Sequence, residues 1–203
     1  MFRHILATGA AVIAFTLPDG VALAKAQTAI FAGGCFWSVE SDFGHVPGVI
    51  SMTAGYIGGT SDHPTYEDHE NAGHREAVKI EFDDTRISYA QMLDAYWHSI
   101  DPTDRGGQFC DRGHSYTTAI YATGKEQLAL ATKSKAVAAT QLKQPLAAEI
   151  AMAPTFWPAE DYHQHYARKN PVRYSNYRVG CGRDAQVERV WGATAYHGME
   201  AGH

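Results

Sequence analysis

The sequence predicts an α+β fold in a single domain, and two observations lead to this prediction. Strand-like runs and amphipathic helical segments follow one another along the chain, but without the regular strand–helix–strand repeat of a parallel sheet. The 203 residues, of which 45% are apolar and 19% charged, suffice for one hydrophobic core, and no internal repeat or low-complexity linker divides them. The same composition excludes a collagen-like, coiled-coil or disordered chain.

The first half of the domain predicts a strand, a tight turn and a helix in succession. Residues 28–32 are a short apolar run that ends at two glycines, and residues 35–43 then have helical spacing. A second strand is predicted over residues 77–82, where apolar and charged residues alternate. The next helix begins at Ser88, because Ser88-x-x-Gln91 is a capping box.

The second half predicts fewer regular elements. They are a strand at 116–121, a long helix capped by Thr123-x-x-Glu126, a strand at 148–152 and a short helix at 161–168. Irregular chain containing proline lies between the last two, and the sequence after Gly192 has no hydrophobic period. We therefore expect flanking helices on the sheet and a long irregular C-terminal segment with a flexible tail.

Residues 1–24 have the layout of a secretory signal peptide. Arg3 supplies a basic start, an apolar run follows, and Ala22-x-Ala24 places small residues at the cleavage position. The alternative is an N-terminal amphipathic helix packed on the domain, but the apolar run lacks a polar stripe. The run is also too short to span a bilayer as a stable anchor. We therefore expect residues 25–203 to form a mature domain that is exported, in bacteria to the periplasm, where disulfides persist.

The charge balance argues against polyanionic partners. The chain has 17 basic and 22 acidic residues, a formal net charge of −5, and no block of like charge. Neither nucleic acid nor an anionic membrane surface is expected to bind such a chain. After signal removal we expect a monomer away from the membrane.

An odd number of cysteines, three, leaves at least one thiol outside any intramolecular disulfide. Cys35 stands at the first turn of a predicted helix, where unpaired backbone N–H groups and the helix dipole are expected to favour the thiolate. Phe36 and Trp37 follow it and suit an apolar pocket beside a reactive sulfur. Taken alone, this pattern fits an inert core cysteine equally well.

Further motifs favour a reactive cysteine. After Gly33-Gly34-Cys35-Phe36-Trp37 come, in order, Pro64-Thr65-Tyr66, Gly73-His74-x-Glu76-Ala77-Val78, Asp111-x-Gly113-x-Ser115-Tyr116, Glu160-Asp161-x-His163-Gln164 and Lys169-Asn170-Pro171. This series, spread over residues 28–171, resembles the A-type peptide methionine sulfoxide reductases. The resemblance implies a ferredoxin-like mixed sheet. It also implies reduction of the S epimer of methionine sulfoxide, free or in proteins, and so the repair of oxidised proteins.

The resemblance also assigns a role to each matching residue. Cys35 matches the nucleophile that attacks the sulfoxide sulfur and is left as a sulfenic acid, and Glu76 matches the proton donor. Tyr66 and Tyr116 match the phenols that hydrogen-bond the sulfoxide oxygen, and Asp111 matches an acid near the nucleophile.

The aromatic pair completes these assignments. Phe36 and Trp37 match the pocket that binds the ε-methyl group of the substrate, which would distinguish the S epimer at sulfur.

The chain departs from the family pattern at the resolving cysteine. Ser175 stands where a thiol is expected after the Lys-Asn-Pro segment. Cys181, between two glycines that permit movement, is the favoured resolving residue, and Cys110 beside Asp111 is the alternate. Regeneration then needs an external thioredoxin-like dithiol, because the chain contains no Cys-x-x-Cys motif. No bound cofactor is expected.

Two other classes of function stay open at this stage. Cys35 with a histidine such as His74 would suit a secreted cysteine-dependent hydrolase or acyl-transferase. The 11 histidines also allow a metal-binding module, with candidate ligands at His63, His69, His74, His163 and His165. Metal-ligand spacing is poor, since neither Cys-x-x-Cys nor His-Glu-x-x-His occurs, so no metal site is predicted.

Overall fold

Six strands form one mixed sheet with helices packed on it in the computed structural model, which describes residues 25–200. The predicted signal peptide, residues 1–24, lies outside the described residues, as do residues 201–203. Along the chain the elements are β1 (Ala26–Ala32), α1 (Phe36–Phe43), β2 (Val49–Ile57), β3 (Arg75–Asp83), α2 (Tyr89–Trp97), β4 (Gly107–Gln108), β5 (Asp111–Arg112), β6 (Ala119–Ala122), α3 (Lys125–Leu142), β7 (Glu149–Met152), β8 (Phe156–Pro158), α4 (Tyr166–Lys169), α5 (Pro171–Gly180) and α6 (Arg183–Trp191). No helix in the described part of the chain is long and apolar enough to cross a membrane.

The order of the strands brings distant parts of the sequence together. The sheet runs β7-β6-β1-β3-β2-β8, and neighbouring strands are antiparallel except for β6 and β7. Strands β4 and β5 form a separate two-stranded sheet. Because β1 and β3 run in opposite directions, with Phe31 opposite Val78, the C-terminal end of β1 lies beside the N-terminal end of β3. The turn that carries Cys35 therefore meets Glu76.

Strand β1 is buried on both faces, which explains its continuous apolar sequence. Phe31 packs against the rings of Phe43 and Tyr96, with centroids 5.3 and 4.8 Å away. Ile30 points to the opposite face, into a smaller cluster that includes Ile57. A strand covered on both sides reads as an apolar run rather than as an alternating pattern.

The predicted elements of the first half are confirmed, with one strand missed. The predicted strands at 28–32 and 77–82 correspond to β1 and β3, and Ser88 caps α2 with the predicted reciprocal bonds to Gln91. Strand β2 was not predicted, because its exposed residues lie at the N-terminal end and its buried residues at the C-terminal end. Such a gradient of burial has no period of two.

Two predictions in the middle of the chain are corrected. Helix α3 begins at Lys125 with Gly124 as its N-cap, so the predicted Thr123-x-x-Glu126 cap is wrong. The Gln127 carboxamide oxygen instead accepts a hydrogen bond from the Thr123 backbone N–H. The strand predicted at 116–121 begins only at Ala119, since residues 114–116 form a 3₁₀ turn. The last predicted strand is confirmed as β7.

The prediction of a long irregular C-terminal segment is wrong, because α5 and α6 fill residues 171–191. The short helix predicted at 161–168 corresponds to α4, which begins only at Tyr166 and so overlaps only the end of the predicted range. Hydrophobic periodicity missed α5 and α6 because arginines occupy their buried faces: Arg178 is 6% and Arg183 2% exposed. Beyond α6, Tyr196 is buried, and its N–H donates to the carbonyl oxygen of His98.

A buried ionic cluster holds these C-terminal helices on α1. Both oxygens of the fully buried Asp42 accept from arginines, Oδ1 from Arg178 at 2.6 Å and Oδ2 from Arg183 at 2.8 Å. Arg183 also donates to the carbonyl oxygens of Gly33 and Ser99. The strand-to-helix turn before Cys35 and the segment after Cys181 are thus joined by one side chain.

Candidate active site

Cys35 is the N-cap residue of α1 and is 7% exposed. Its carbonyl oxygen accepts from the backbone N–H groups of Ser38 and Val39, which closes the first helical turn. The preceding Gly34 has φ +87°, and a Cβ there would lie 2.7 Å from the Gln108 Cβ. The turn therefore requires glycine at this position, both for its left-handed backbone and for its close packing.

The thiol of Cys35 is protonated in the unliganded protein. Burial raises its pKa well above the usual value, and the negative charges of Glu76 and Asp111 add to this, while a hydrogen bond with the Tyr177 hydroxyl opposes it. The prediction that the helix start favours the thiolate is therefore wrong. The free-energy cost of removing a thiolate from water exceeds the stabilisation that one helix N-terminus gives it.

Glu76 lies on β3 with 2% of its surface exposed. Its Oε2 accepts from the backbone N–H of Phe36 at 2.8 Å, which places the carboxyl group at the start of α1. Burial raises the Glu76 pKa to about 8, with contributions from Asp111 and Glu70, while the Phe36 N–H and the Cys35 thiol act in the opposite direction. Glu76 is consequently a protonated acid at neutral pH, adjacent to the sulfur.

Two predicted tyrosines lie close enough to the Glu76 carboxyl group for its charge to raise their pKa values. Tyr66 is 41% exposed. Burial of its hydroxyl raises its pKa to about 12, and the negative charge of Glu76 makes the second-largest contribution. The Tyr116 hydroxyl donates to Glu70 Oε1 at 2.9 Å, and burial and Glu76 raise its pKa as well. Both phenols are neutral hydrogen-bond donors under ordinary conditions.

Aromatic rings wall one side of the cysteine. Phe36 is fully buried, with the ring of His163 at 4.9 Å. Trp37 stacks parallel on Tyr166 at 3.7 Å, and its indole N–H donates to Nδ1 of His163 at 3.0 Å. Because these contacts orient the Trp37 ring, the predicted aromatic pair forms a rigid apolar surface beside the sulfur.

Asp111, on β5, is tied to the cysteine through Tyr177. The Tyr177 hydroxyl donates to Asp111 Oδ2, and Tyr177 is also the polar side chain that lowers the pKa of Cys35. Burial raises the Asp111 pKa, although the hydrogen bond from Tyr177 and the charge of Arg183 lower it. Tyr177 was not predicted as a site residue. Its position four residues before Cys181, on one helix face, is the signal that would have indicated it.

The two remaining cysteines are joined to each other. Cys110 and Cys181 form a disulfide with their Cα atoms 4.9 Å apart, and Cys35 is the free cysteine. Cys110 was predicted as the alternate to Cys181 in the resolving role, whereas the structure joins the two to each other. Cys181 follows directly on the helix that carries Tyr177, so the disulfide lies close to Asp111 and the catalytic-site candidates around it.

Comparison with known proteins agrees with this arrangement. A family model described as peptide methionine sulfoxide reductase matches residues 27–195. The chain belongs to the peptide methionine sulfoxide reductase family. A relative named peptide methionine sulfoxide reductase MsrA 2, from Rhizobium meliloti (strain 1021), is 52% identical over 176 residues, which cover 87% of this chain and 89% of the relative.

Solved structures with the same fold as this chain are known. The structure described as methionine sulfoxide reductase A of Corynebacterium diphtheriae has a TM-score of 0.69 at 29% identity and covers 72% of this chain and 76% of its own. A structure of Mxr1 from Saccharomyces cerevisiae in complex with Trx2 has a TM-score of 0.52 at 20% identity, covering 74% and 91% of the two chains. At that identity the second likeness concerns the fold alone.

The structure does not support a Cys–His hydrolase based on His74. Nδ1 of His74 accepts from the Gly59 N–H at 3.1 Å, and its Nε2 lies 3.2 Å from the Ser61 hydroxyl. Both ring nitrogens are therefore occupied within their own loop and neither serves Cys35.

The metal-binding alternative likewise gains no support. Two groups in residues 25–200 bring three possible ligands together, namely Asp94-His98-His197 and Cys110-Asp111-Cys181, and both cysteines of the second are used in the disulfide. Neither contains the histidines proposed as ligands from the sequence, which are His63, His69, His74, His163 and His165.

Proposed function

We propose that this protein reduces the S epimer of methionine sulfoxide, free or within proteins, to methionine, and thereby repairs oxidised proteins as a peptide-methionine (S)-S-oxide reductase. The observation that carries the proposal is the juxtaposition of the only free cysteine of the described residues with a buried, protonated glutamate. A sulfoxide oxygen leaves sulfur only if it is protonated or strongly hydrogen-bonded. Glu76 supplies that proton directly beside Cys35.

The first step forms a bond between Cys35 Sγ and the substrate sulfur. Glu76 gives its proton to the sulfoxide oxygen, and the carboxylate recovers a proton from the Cys35 thiol. The Sγ–S bond and the S–O bond then break together as the hydroxyl group passes to Cys35 Sγ, and the electron pair of the Sγ–S bond stays on the methionine sulfur. The products are methionine and the Cys35 sulfenic acid, so protons and electrons balance. Tyr66 donates a hydrogen bond to the oxygen while its charge grows, and Tyr116 does the same once its hydroxyl turns from Glu70 Oε1.

The methyl group sets the stereochemistry. Phe36 and Trp37 offer a flat apolar wall that receives the ε-methyl group, while the acid and the phenols require the oxygen on the other side. Only one epimer at sulfur satisfies both sides at once. Asp111, held by Tyr177, adds a carboxyl group near the Cys35 sulfur.

Two disulfides follow in the proposed cycle. Cys181 attacks the sulfenic sulfur, water leaves, and a Cys35–Cys181 disulfide forms. The Cys110 thiolate then attacks Cys181, which releases Cys35 as a thiol and leaves Cys110–Cys181, the pairing present in the structure. Cys110 thus becomes a second recycling residue rather than a spare one.

An external thioredoxin-like dithiol completes the cycle by reducing Cys110–Cys181. Cys110 is exposed, so a partner thiolate has access to it, and no bound cofactor is needed for the electron balance. The yeast protein Mxr1, which shares the fold, was solved in complex with Trx2.

The remaining sequence-based expectations belong to the same proposal. The order β6-β1-β3-β2, with α1 and α2 as crossovers, supports the ferredoxin-like description of the sheet.

The sequence patterns alone support four further parts of the proposal. These are export through the signal peptide at 1–24, a periplasmic location, a monomeric state, and the absence of nucleic-acid or membrane binding. Intact-mass measurement on the exported protein tests the first of these, and an N-terminus at Met1 would contradict it.

The decisive experiment treats reduced protein with one equivalent of methionine-S-sulfoxide. The substrate should lose the mass of one oxygen, and the R epimer, used as the control, should not react. Cys35→Ser should abolish the reaction, and Glu76→Gln, which keeps the side-chain volume, should slow it strongly while folding normally. Activity retained by Cys35→Ser, or ester hydrolysis without sulfoxide reduction, would exclude the proposed function.

Peptide mapping of the same reactions tests the recycling order. Cys110→Ser should stop at a Cys35–Cys181 disulfide, whereas Cys181→Ser should stay as the sulfenic acid. A Cys35–Cys110 link in wild-type protein with Cys181 free would show that the two recycling residues act in the opposite order.

A further inference from the structure

His69 is a buried histidine to which the proposed reaction gives no role. It lies in the loop between β2 and β3 and is 1% exposed. Nδ1 lies 2.8 Å from the Tyr66 carbonyl oxygen. A carbonyl oxygen only accepts, so Nδ1 carries a hydrogen, and in the neutral ring Nε2 then holds a lone pair.

That lone pair faces the catalytic acid. Nε2 of His69 lies 3.8 Å from Oε1 of Glu76, and within residues 25–200 it has no hydrogen-bond partner. A buried polar atom without a partner is costly and calls for a physical reason. A hydrogen bond from the O–H of the neighbouring carboxyl group would be such a reason.

The two oxygens of Glu76 have different surroundings. Oε2 accepts from the Phe36 N–H at 2.8 Å, which suits the carbonyl oxygen of a protonated carboxyl group. Oε1 then carries the acid proton, and Oε1 is the oxygen that faces His69. A small rotation of the carboxyl group about the oxygen held by Phe36 brings Oε1–H toward Nε2.

The ring of His69 cannot turn away from this position. Tyr56 stacks on it at 4.8 Å with an interplanar angle of 25°, and Tyr66 at 5.6 Å with 27°. The hydrogen bond to the Tyr66 carbonyl oxygen prevents a ring flip as well. Nε2 is therefore a rigid acceptor.

We propose that His69 is a positioning residue for the acid: its Nε2 accepts a hydrogen bond from Oε1–H of Glu76 before substrate binds, which keeps that oxygen protonated and the carboxyl group oriented toward the site. The inference rests on the proposed function, since it concerns the proton that Glu76 donates. When the sulfoxide oxygen enters, Oε1–H turns from His69 to the substrate. No proton is lost to solvent in that exchange.

Other groups also act on the Glu76 proton and must be unchanged in the test. The titratable groups that face it are Cys35 from α1, Tyr56 from β2, Asp111 from β5, Tyr66, His69 and Glu70 from the β2–β3 loop, and Tyr116 from the 3₁₀ turn. A substitution at His69 removes none of these groups, and the loss of ring stacking on Tyr56 and Tyr66 is common to the two variants compared below.

Two amides divide the functions of His69 between them. His69→Asn retains a donor at the position of Nδ1, toward Tyr66, and removes the acceptor toward Glu76. His69→Gln places its amide oxygen near the position of Nε2 and removes the donor to Tyr66. A residue that only held the loop together would tolerate Asn and be damaged by Gln.

The measurement is the single-turnover rate of methionine formation from methionine-S-sulfoxide between pH 6 and 10. His69→Gln should keep the wild-type alkaline limb, whereas in His69→Asn the limb should move down by about one pH unit, a roughly tenfold loss of proton affinity. The maximal single-turnover rate should be affected more than the half-saturating substrate concentration. A wild-type limb in His69→Asn, or an equal shift in both variants, would overturn the inference. Wild-type protein with no reductase activity would instead refute the proposed function.

Nitrogen-15 NMR of histidine-labelled wild-type protein gives a second readout that does not depend on the stability of the Asn variant. The His69 signal, identified by its loss in His69→Gln, should show a protonated Nδ1 and an unprotonated Nε2 at neutral pH, and Glu76→Gln should move the Nε2 shift. A protonated Nε2 with a bare Nδ1 would contradict the proposed arrangement.

Discussion

Replacement of Arg183 by methionine tests how the C-terminal helices are held on the active-site turn. Arg183 is 2% exposed, and its guanidinium group donates to Asp42 through Nε at 3.2 Å and Nη2 at 2.8 Å. It also donates to the carbonyl oxygens of Gly33 at 3.2 Å and Ser99 at 3.0 Å. Methionine fills much of the apolar part of the space but makes none of these bonds.

The expected loss of stability follows from these partners. Breaking a buried ion pair by removing one member costs about 3–5 kcal/mol. Asp42 keeps its 2.6 Å bond from Arg178, which places the expected loss at the lower end, about 3 kcal/mol. With a urea m-value of about 2 kcal/mol/M, the unfolding midpoint should fall by roughly 1.5 M.

Urea unfolding followed by circular dichroism measures this loss, with Arg189→Met as the matched control. Arg189 lies exposed on the same helix, so its replacement should change the midpoint little. In the folded variant, formation of the Cys35–Cys181 disulfide should also slow more than sulfenic-acid formation. A loss below about 1 kcal/mol would refute the view that the buried cluster fastens this segment.

Three further predictions concern the active site. Because the protonated form of Glu76 is lost as pH rises through a pKa of about 8, the rate of sulfoxide reduction should fall about tenfold between pH 7 and 9, and a flat stopped-flow profile would contradict this. Gly34→Ala should cost at least about 1–2 kcal/mol in thermal unfolding, since alanine at φ +87° is strained and would press on Gln108; an unchanged Tm would argue against that turn geometry. Tyr177→Phe removes a hydrogen bond that lowers the Cys35 pKa, so iodoacetamide should alkylate Cys35 more slowly at a given pH in the Cys110–Cys181 disulfide form, and faster alkylation would exclude that role.

The parts of the fold that the sequence predicted are those with local signals. Strands β1 and β3 were found through their apolar and alternating runs, and the α2 start through a capping box that needs only Ser88 and Gln91. Helices α5 and α6 were missed because their buried faces carry Arg178 and Arg183, whose burial depends on Asp42, more than a hundred residues away. No local pattern contains that information.

The sequence by itself determined which groups are available for chemistry: a cysteine behind two glycines, an aromatic pair, an acid and two tyrosines in a recognisable order. Only the tertiary structure decided which of these groups are protonated, which cysteines are paired, and which side chains lie beside them. It paired Cys110 with Cys181, brought Tyr177 to the free thiol, and set His69 against Glu76. The physical reason is that a pKa is set by desolvation and by charges within a few ångströms, and those neighbours come from strands and helices far apart along the chain. The cysteine expected to be a thiolate is for this reason a thiol, and the acid beside it keeps its proton.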